Sequence, residues 1–181
     1  MENYKYDIFR YYGNYKEPII KKFLKPLNLK YIILFRKCQN TSNKILKFYY
    51  RYRLYKLSNK TFIQIPPNTE IGKGFYIGHS GRIIINPATV LGKNINISTG
   101  VVIGQENRGK RKGVPVIGNN VWIGANSVIV GNIKIGDDVL IAPLSFVNFN
   151  VPSHSVVIGN PAKIIAKDNA TDQYINNKIL L

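Results

Sequence analysis

The chain has 181 residues and two histidines, and one of these, His79, stands where a strict sequence period breaks. Imidazole is the side chain whose ordinary pKa lets it take and return a proton near neutral pH. A histidine set among small residues, Gly78-His79-Ser80-Gly81, is therefore a candidate general base. The second chemically loaded stretch is Gln105 to Val114, which holds Arg108, Lys110, Arg111 and Lys112, two glycines and one carboxylate, Glu106. It reads either as a mobile solvated loop or as a cover that brings positive charge to an anionic ligand. His154 reads as part of a closing turn, and Trp122 as a wall residue or a subunit contact. Metal chemistry is disfavoured, because a catalytic zinc normally takes three protein ligands, often histidines, and the second histidine lies near the chain end.

What must position these residues is a repeat. Aliphatic side chains return every sixth residue at Ile65, Ile71 and Ile77, then Ile85, Leu91, Ile97 and Ile103, then Ile117, Ile123, Ile129, Ile135, Ile141 and Val147. Neither a helix nor a simple strand has that period, whereas a triangular coil of short strands does. Gly commonly follows the aliphatic, and pairs such as Lys93-Asn94, Asn119-Asn120 and Asp137-Asp138 supply residues that tolerate the left-handed backbone of a tight corner. No coil could bury its own apolar face, so the coils must stack. The period breaks twice, by eight residues from Ile77 to Ile85 and by fourteen from Ile103 to Ile117. Extra residues in a packed solenoid leave as surface loops, where function gathers. His79 lies in the first break and the basic run in the second.

Residues 1 to 60 lack the sixfold pattern and read as helical. Apolar positions Ile19, Ile20, Phe23, Leu24, Leu27, Tyr31, Leu34 and Phe35 suggest two helices separated by Pro26. Thr41 or Ser42 is a candidate cap for another, with Ile45, Phe48, Tyr49, Tyr52 and Tyr55 at helical spacing. This segment holds 15 basic and 3 acidic residues and ten of the twelve tyrosines, within a chain of net charge +17. Three readings follow: tyrosines packed on the solenoid beneath solvated lysines, contact with an anionic membrane surface, or single-stranded nucleic acid. No nucleic-acid motif accompanies the charge, so that partner is not expected. The single Cys38 excludes an intramolecular disulfide, no signal-like start is present, and no apolar run spans a bilayer. A cytoplasmic location, with peripheral contact at the inner membrane face as an option, is the resulting expectation. Three parts are expected: residues 1 to 60, a β-helix over 61 to 166, and a polar, loosely ordered tail over 167 to 181.

The hexad array, I-G-H-S-G-R-I-I-I-N at 77 to 86, the Gly-containing loop at 104 to 115 and V-I-G-N-P-A-K-I at 157 to 164 resemble the hexapeptide-repeat acyltransferases. Within them the chain is most similar to serine O-acetyltransferases, especially the short basic type associated with capsule and lipopolysaccharide synthesis, whose helical start the R-Y-Y-x-x-Y pattern at 10 to 15 resembles. The resemblance implies a mainly β fold, a left-handed parallel β-helix after an N-terminal helical segment. That hand is opposite to the usual parallel crossover. It further implies a homotrimer with acetyl-CoA as co-substrate in the cleft between subunits, and no metal. His79 matches the family's catalytic histidine. Gly124, Ala125 and Ala142 match positions lining the pantetheine channel, Lys163 matches a lysine near the nucleotide end, and Gly104, Arg111 and Lys112 are assigned to the same donor site.

Some of the family's pattern is missing. The aspartate that orients the histidine corresponds to Gln64, and the arginine and second histidine of the serine site correspond to Gly113 and Val114. Asn86 and Glu106 become the candidates for orienting His79. The expected function is therefore O-acetyl transfer to a sugar hydroxyl in surface polysaccharide biosynthesis. Serine O-acetylation is the alternative, and a non-catalytic trimeric scaffold a more distant one.

Overall fold

The computed structural model describes residues 3–16 and 25–180. Three helices come first, α1 (Asn3–Tyr12), α2 (Leu27–Asn40) and α3 (Lys44–Thr61). Pro18, Ile19, Ile20, Phe23 and Leu24 lie outside the described residues, and α2 begins directly after Pro26. The cap of α3 is Asn43 rather than Thr41 or Ser42: its side-chain oxygen accepts from the N–H groups of Ile45 and Leu46 at 3.0 and 3.1 Å.

The repeat then winds through stacked coils. The first is β1 (Ile63–Gln64), β2 (Glu70–Ile71) and β3 (Tyr76–Ile77); the second is β4 (Ile83–Ile85), β5 (Val90–Leu91) and β6 (Asn96–Ile97). The third is β7 (Val102–Gly104), β8 (Val116–Ile117) and β9 (Val121–Ile123); the fourth is β10 (Val128–Val130), β11 (Lys134–Ile135) and β12 (Val139–Ile141). The chain closes with β13 (Phe146–Val147), β14 (Ser155–Gly159) and β15 (Ala162–Ala166). Corresponding strands pair in parallel into three sheets, β1-β4-β7-β10-β13, β2-β5-β8-β11 and β3-β6-β9-β12-β14, and β15 joins the last antiparallel. All thirteen six-spaced aliphatics are buried in the prism between the sheets.

Register shows where the breaks go. Ile84 pairs with Val102, eighteen residues on, which is one undisturbed coil. Ile63 pairs with Ile83 and Val90 with Val116, spacings of twenty and twenty-six, so the coil gains two residues at His79 and eight at the basic loop without disturbing the stack.

The corners behave as their residue types require. Gly74, Asn94, Asn120, Asp138 and His154 stack down the corner between the second and third sheets with φ from +53 to +76. The N–H groups of Asn94, Asn120, Asp138 and His154 reach the carbonyls of Lys73, Lys93, Asn119 and Asp137, one coil before, at 2.8 to 3.0 Å. Two positions earlier the coils almost touch. A Cβ at Gly118 would sit 2.8 Å from the Gly136 carbonyl carbon and collide with the Asp137 carboxylate. Gly118→Ala is therefore expected to cost about 1–3 kcal/mol, the usual penalty of overpacking. Urea unfolding measures it, and a loss below about 0.5 kcal/mol would show that the coils part freely.

The first coil has no coil above it, and its exposed backbone groups are an edge that must be covered. Side chains of α1 and α2 cover it. Tyr31 Oη donates to the Ile65 carbonyl and accepts from the Ile65 N–H (3.1 and 3.0 Å), Gln39 donates to the Thr69 carbonyl (2.9 Å), and Arg36 donates to those of Ile71 and Gly72. Asp7 accepts from the Phe75 N–H (2.8 Å), and Arg10 donates to the Gly74 carbonyl (2.9 Å). Leu29, Tyr31, Ile32, Phe35 and Cys38 of α2 are buried. The packed reading of the tyrosines thus holds for Tyr11 and Tyr31, but Tyr49, Tyr52 and Tyr55 are exposed, since of its apolar side chains α3 turns Tyr50, Leu54 and Leu57 to the core.

The tail is not loose. Asp138 accepts from the Ala170 and Thr171 N–H groups and the Thr171 hydroxyl at 2.7 to 3.0 Å, and lies 3.0 Å from His154 Nδ1. Beyond it Ile175 and Ile179 are buried, and Asn94 Nδ2 holds the Ile179 carbonyl at 2.9 Å. Polar composition hid this because the anchors are single residues spaced along an otherwise soluble segment. Burial pushes the Asp138 carboxyl up, but the hydrogen bonds from Thr171, His154 and Ala170 outweigh it and hold it below the ordinary aspartate value. A depressed pKa gives stability present above the unfolded value, near 3.9, and lost as pH falls through the folded one. Asp138→Ala is expected to expose the tail to limited proteolysis at neutral pH, as acidification below about pH 4 does for the parent protein; an equally resistant variant would remove Asp138 from this role.

Candidate functional site

His79 follows β3 where the chain leaves the third sheet, and its ring is exposed. The backbone before it is held firmly. The Ile77 carbonyl accepts from Tyr11 Oη at 2.6 Å and from Asn28 Nδ2, the Gly78 carbonyl accepts from Asn28 Nδ2 at 3.2 Å, and the Ile77 N–H donates to Tyr11 Oη at 3.2 Å. Burial raises the Tyr11 phenol well above its usual value, so it stays protonated and able to donate. Among the described residues no side chain hydrogen-bonds the His79 ring, which leaves it free to turn toward a bound hydroxyl.

Beside the ring is a cavity of about 370 Å³ lined by Arg10, Tyr76, Asn96, Trp122 and Tyr174 together with His79. Each Arg10 guanidinium nitrogen is engaged, donating to the Asn176 and Gly74 carbonyls at 2.9 Å and to Asn96 Oδ1 at 2.6 Å. Burial lowers it to about 10, still charged at neutral pH, with Tyr76, Asp7 and Tyr11 pulling the other way. Trp122 is a wall residue covered by the tail, its ring 5.0 Å from Tyr174 in an edge contact. No carboxylate lines the cavity among the described residues. Sequence reasoning missed Arg10, Tyr11, Asn96 and Tyr174 as site residues. Arg10 and Tyr11 lay within the R-Y-Y-x-x-Y pattern, which gave a signal without a location.

The third-sheet register runs Ile77, Ile97, Ile123, Ile141, Val157. The next residues, Gly78, Ser98, Gly124, Ala142 and Ile158, therefore descend one corner, and Ile158 pairs with Lys163 on β15. His79, Gly124, Ala125, Ala142 and Lys163 share this edge, spread over five strand steps or about 24 Å. Lys163 is exposed at its far end. Gly124 also has a packing reason to be small, since a Cβ there would stand 2.5 Å from the Pro143 nitrogen.

Asn86, Gly104, Glu106, Arg111 and Lys112 gather instead on the corner between the first and second sheets. Asn86 holds Gln105 at 3.2 Å and the Ala88 N–H at 3.0 Å. Glu106 pairs through its backbone with Gly113 at 3.0 Å and through its carboxylate with Arg111 at 3.3 Å, so the basic loop is closed at its base as a hairpin. Within one protomer, neither Asn86 nor Glu106 reaches His79. The two breaks leave the coil from different sheets, so closeness in sequence does not become closeness in space.

Residues 115–148 match the family model for bacterial transferase hexapeptide (six repeats). With the coil register and the buried hexads, this places the protein: the chain belongs to the hexapeptide-repeat acyltransferases. More particularly, it is 37% identical over 108 residues to serine acetyltransferase of Helicobacter pylori (strain ATCC 700392 / 26695), covering 60% of this chain and 63% of that one. It is 39% identical over 108 residues to serine acetyltransferase of Staphylococcus aureus (strain Mu50 / ATCC 700699), covering 60% and 51%. The chain thus spans between about half and five-eighths of the length of these curated relatives. Among solved structures it is similar to serine acetyltransferase from Brucella abortus strain S19, with TM-score 0.75 and 28% identity over 93% of this chain and 70% of that one. It is also similar to Neisseria gonorrhoeae serine acetyltransferase in complex with serine, with TM-score 0.70 and 30% identity over 91% and 68%. No helix among the described residues is long and apolar enough to cross a membrane.

Proposed function

We propose that this protein is an acetyl-CoA-dependent O-acetyltransferase with His79 as general base. The observation that carries the reading is the exposed imidazole at the head of an edge that continues through Gly124, Ala125 and Ala142 to the Lys163 ammonium. Small residues let an extended pantetheine arm approach the backbone, and a cation at the far end suits the nucleotide phosphates. His79 takes the proton of an acceptor hydroxyl, and the oxygen attacks the thioester carbonyl carbon. The tetrahedral intermediate collapses, the C–S bond breaks, and the imidazolium returns its proton to the departing thiolate. Gly104, Arg111 and Lys112 lie on another corner and can join this donor site only from a neighbouring subunit. The same holds for Asn86 and Glu106 as residues orienting His79, and a homotrimer supplies that neighbour.

Serine is the leading acceptor, because the relatives described above are named serine acetyltransferases. A saccharide hydroxyl is the second reading. It is favoured by a cavity without a carboxylate to receive an ammonium group, and by Gln64, Gly113 and Val114 at the positions of the missing serine-site residues. The named relatives give the polysaccharide role no support. Thiol release from acetyl-CoA, followed with L-serine and with a panel of sugar nucleotides and glycans, is the test. Rapid turnover with L-serine establishes the first reading, turnover confined to saccharides establishes the second, and no turnover with any hydroxyl acceptor refutes the proposal.

A further inference from the structure

α3 is apolar on two sides. Its inner side packs Leu54 and Leu57 against the core. Its outer side is turned to solvent, with Ile45 81%, Phe48 76%, Tyr52 50% and Tyr55 64% exposed. At about 100° per residue these four fall in one arc of about 80°. Lys44, Lys47 and Arg51 run along one flank of that arc, and Arg53, Lys56 and Lys60 along the other. The helix carries no carboxylate at all. Against the second flank, between α2 and α3, lies a groove of about 410 Å³ lined by Lys30, Arg53, Lys56 and Lys60 over Leu34 and Leu57, again without an acid among the described residues.

The occupant of this face has to be both anionic and apolar. A second copy of the chain would set six cations against six, and like charges facing each other suppress association. A nucleic-acid strand would satisfy the cations and stack on the tyrosines. It offers nothing to Ile45 and Phe48, the two most exposed members of the stripe. An anionic bilayer satisfies both demands, with headgroup phosphates for the flanks and the acyl boundary for the stripe. We propose that α3 docks the protein on an anionic lipid bilayer, with Ile45, Phe48, Tyr52 and Tyr55 at headgroup depth and a lipid phosphate seated among Lys30, Arg53, Lys56 and Lys60. The docking is independent of the chemistry at His79.

Flotation of the full chain with phosphatidylcholine vesicles, alone or mixed with phosphatidylglycerol, at about 0.15 M salt tests it. The expected result is binding to the mixed vesicles only. The Arg53→Gln/Lys56→Gln/Lys60→Gln variant should partition on the order of 100-fold more weakly, and Phe48→Ser/Tyr52→Ser/Tyr55→Ser at least about tenfold more weakly. These side chains are exposed, so unchanged circular dichroism and sedimentation are expected. Equal binding to both vesicle types, or variants that bind like the parent protein, would overturn the proposal. So would a stripe variant that changes the oligomeric state, which would make the face a contact between copies. Tighter binding to a single-stranded RNA oligomer, lost in the same variants, would reassign the face to nucleic acid.

Discussion

His79→Ala is expected to lower kcat/KM for acetyl transfer by about 10²- to 10⁴-fold, the usual contribution of a positioned general base. The melting temperature should hardly move. The ring is exposed and takes no hydrogen bond from a described side chain, so its loss falls within the small range typical of surface substitutions, about 0.5 kcal/mol. That separation is diagnostic. A histidine kept for packing would cost stability first and activity through it, whereas a base costs rate alone. Thiol release and thermal unfolding of the same preparation decide between them, and undiminished rates would show that a group other than His79 takes the acceptor proton.

Breaking the Asp7–Arg36 pair should have the largest effect on stability. The two side chains are 0% and 1% exposed and meet at 2.8 Å, joining α1 to α2. Burial raises the Asp7 carboxyl, while the Arg36 charge and the backbone N–H donors pull against it. Removing one partner strands the other charge, and Arg36→Ala or Asp7→Ala is expected to cost about 3–5 kcal/mol by urea unfolding. Buried pairs can often be replaced together by hydrophobic residues at little cost. Here the double replacement Asp7→Leu/Arg36→Met should recover little, because Arg36 also serves the Ile71 and Gly72 carbonyls and Asp7 the Phe75 N–H. A double variant as stable as the parent protein would show that the first coil tolerates an uncovered edge. Loss of α1 also removes Arg10 and Tyr11 from the cavity wall, so activity should fall with stability in these variants, unlike in His79→Ala.

The solenoid could be read from the chain because its signal is one-dimensional: each six-spaced aliphatic marks its own turn of the coil, and most left-handed corners mark themselves with Gly, Asn or Asp, Leu144 and His154 being exceptions. The break at His79 was visible for the same reason. What lies between distant segments was not. Nothing local to Asp7, Arg10 or Arg36 says that their charges end on backbone groups of residues 71 to 75, and nothing in the polar tail shows that Asp138 anchors Thr171. The reading of Asn86 and Glu106 as partners of His79 within one protomer meets a related limit. Chain distance puts these residues near His79, whereas three-sided geometry sends neighbouring breaks to different corners, so only a neighbouring subunit can bring them to it. The tyrosines of α3 matched the helical period, but period alone does not say which of two apolar sides faces the core.

The most direct test is a crystal structure of the protein with CoA bound. The expected result is the CoA sulfur within about 3–3.5 Å of the His79 ring, the pantetheine arm running past Gly124, Ala125 and Ala142, and the phosphates directed toward Lys163. CoA bound with its sulfur remote from His79, or held only at the corner of Asn86 and Arg111 within one protomer, would contradict it.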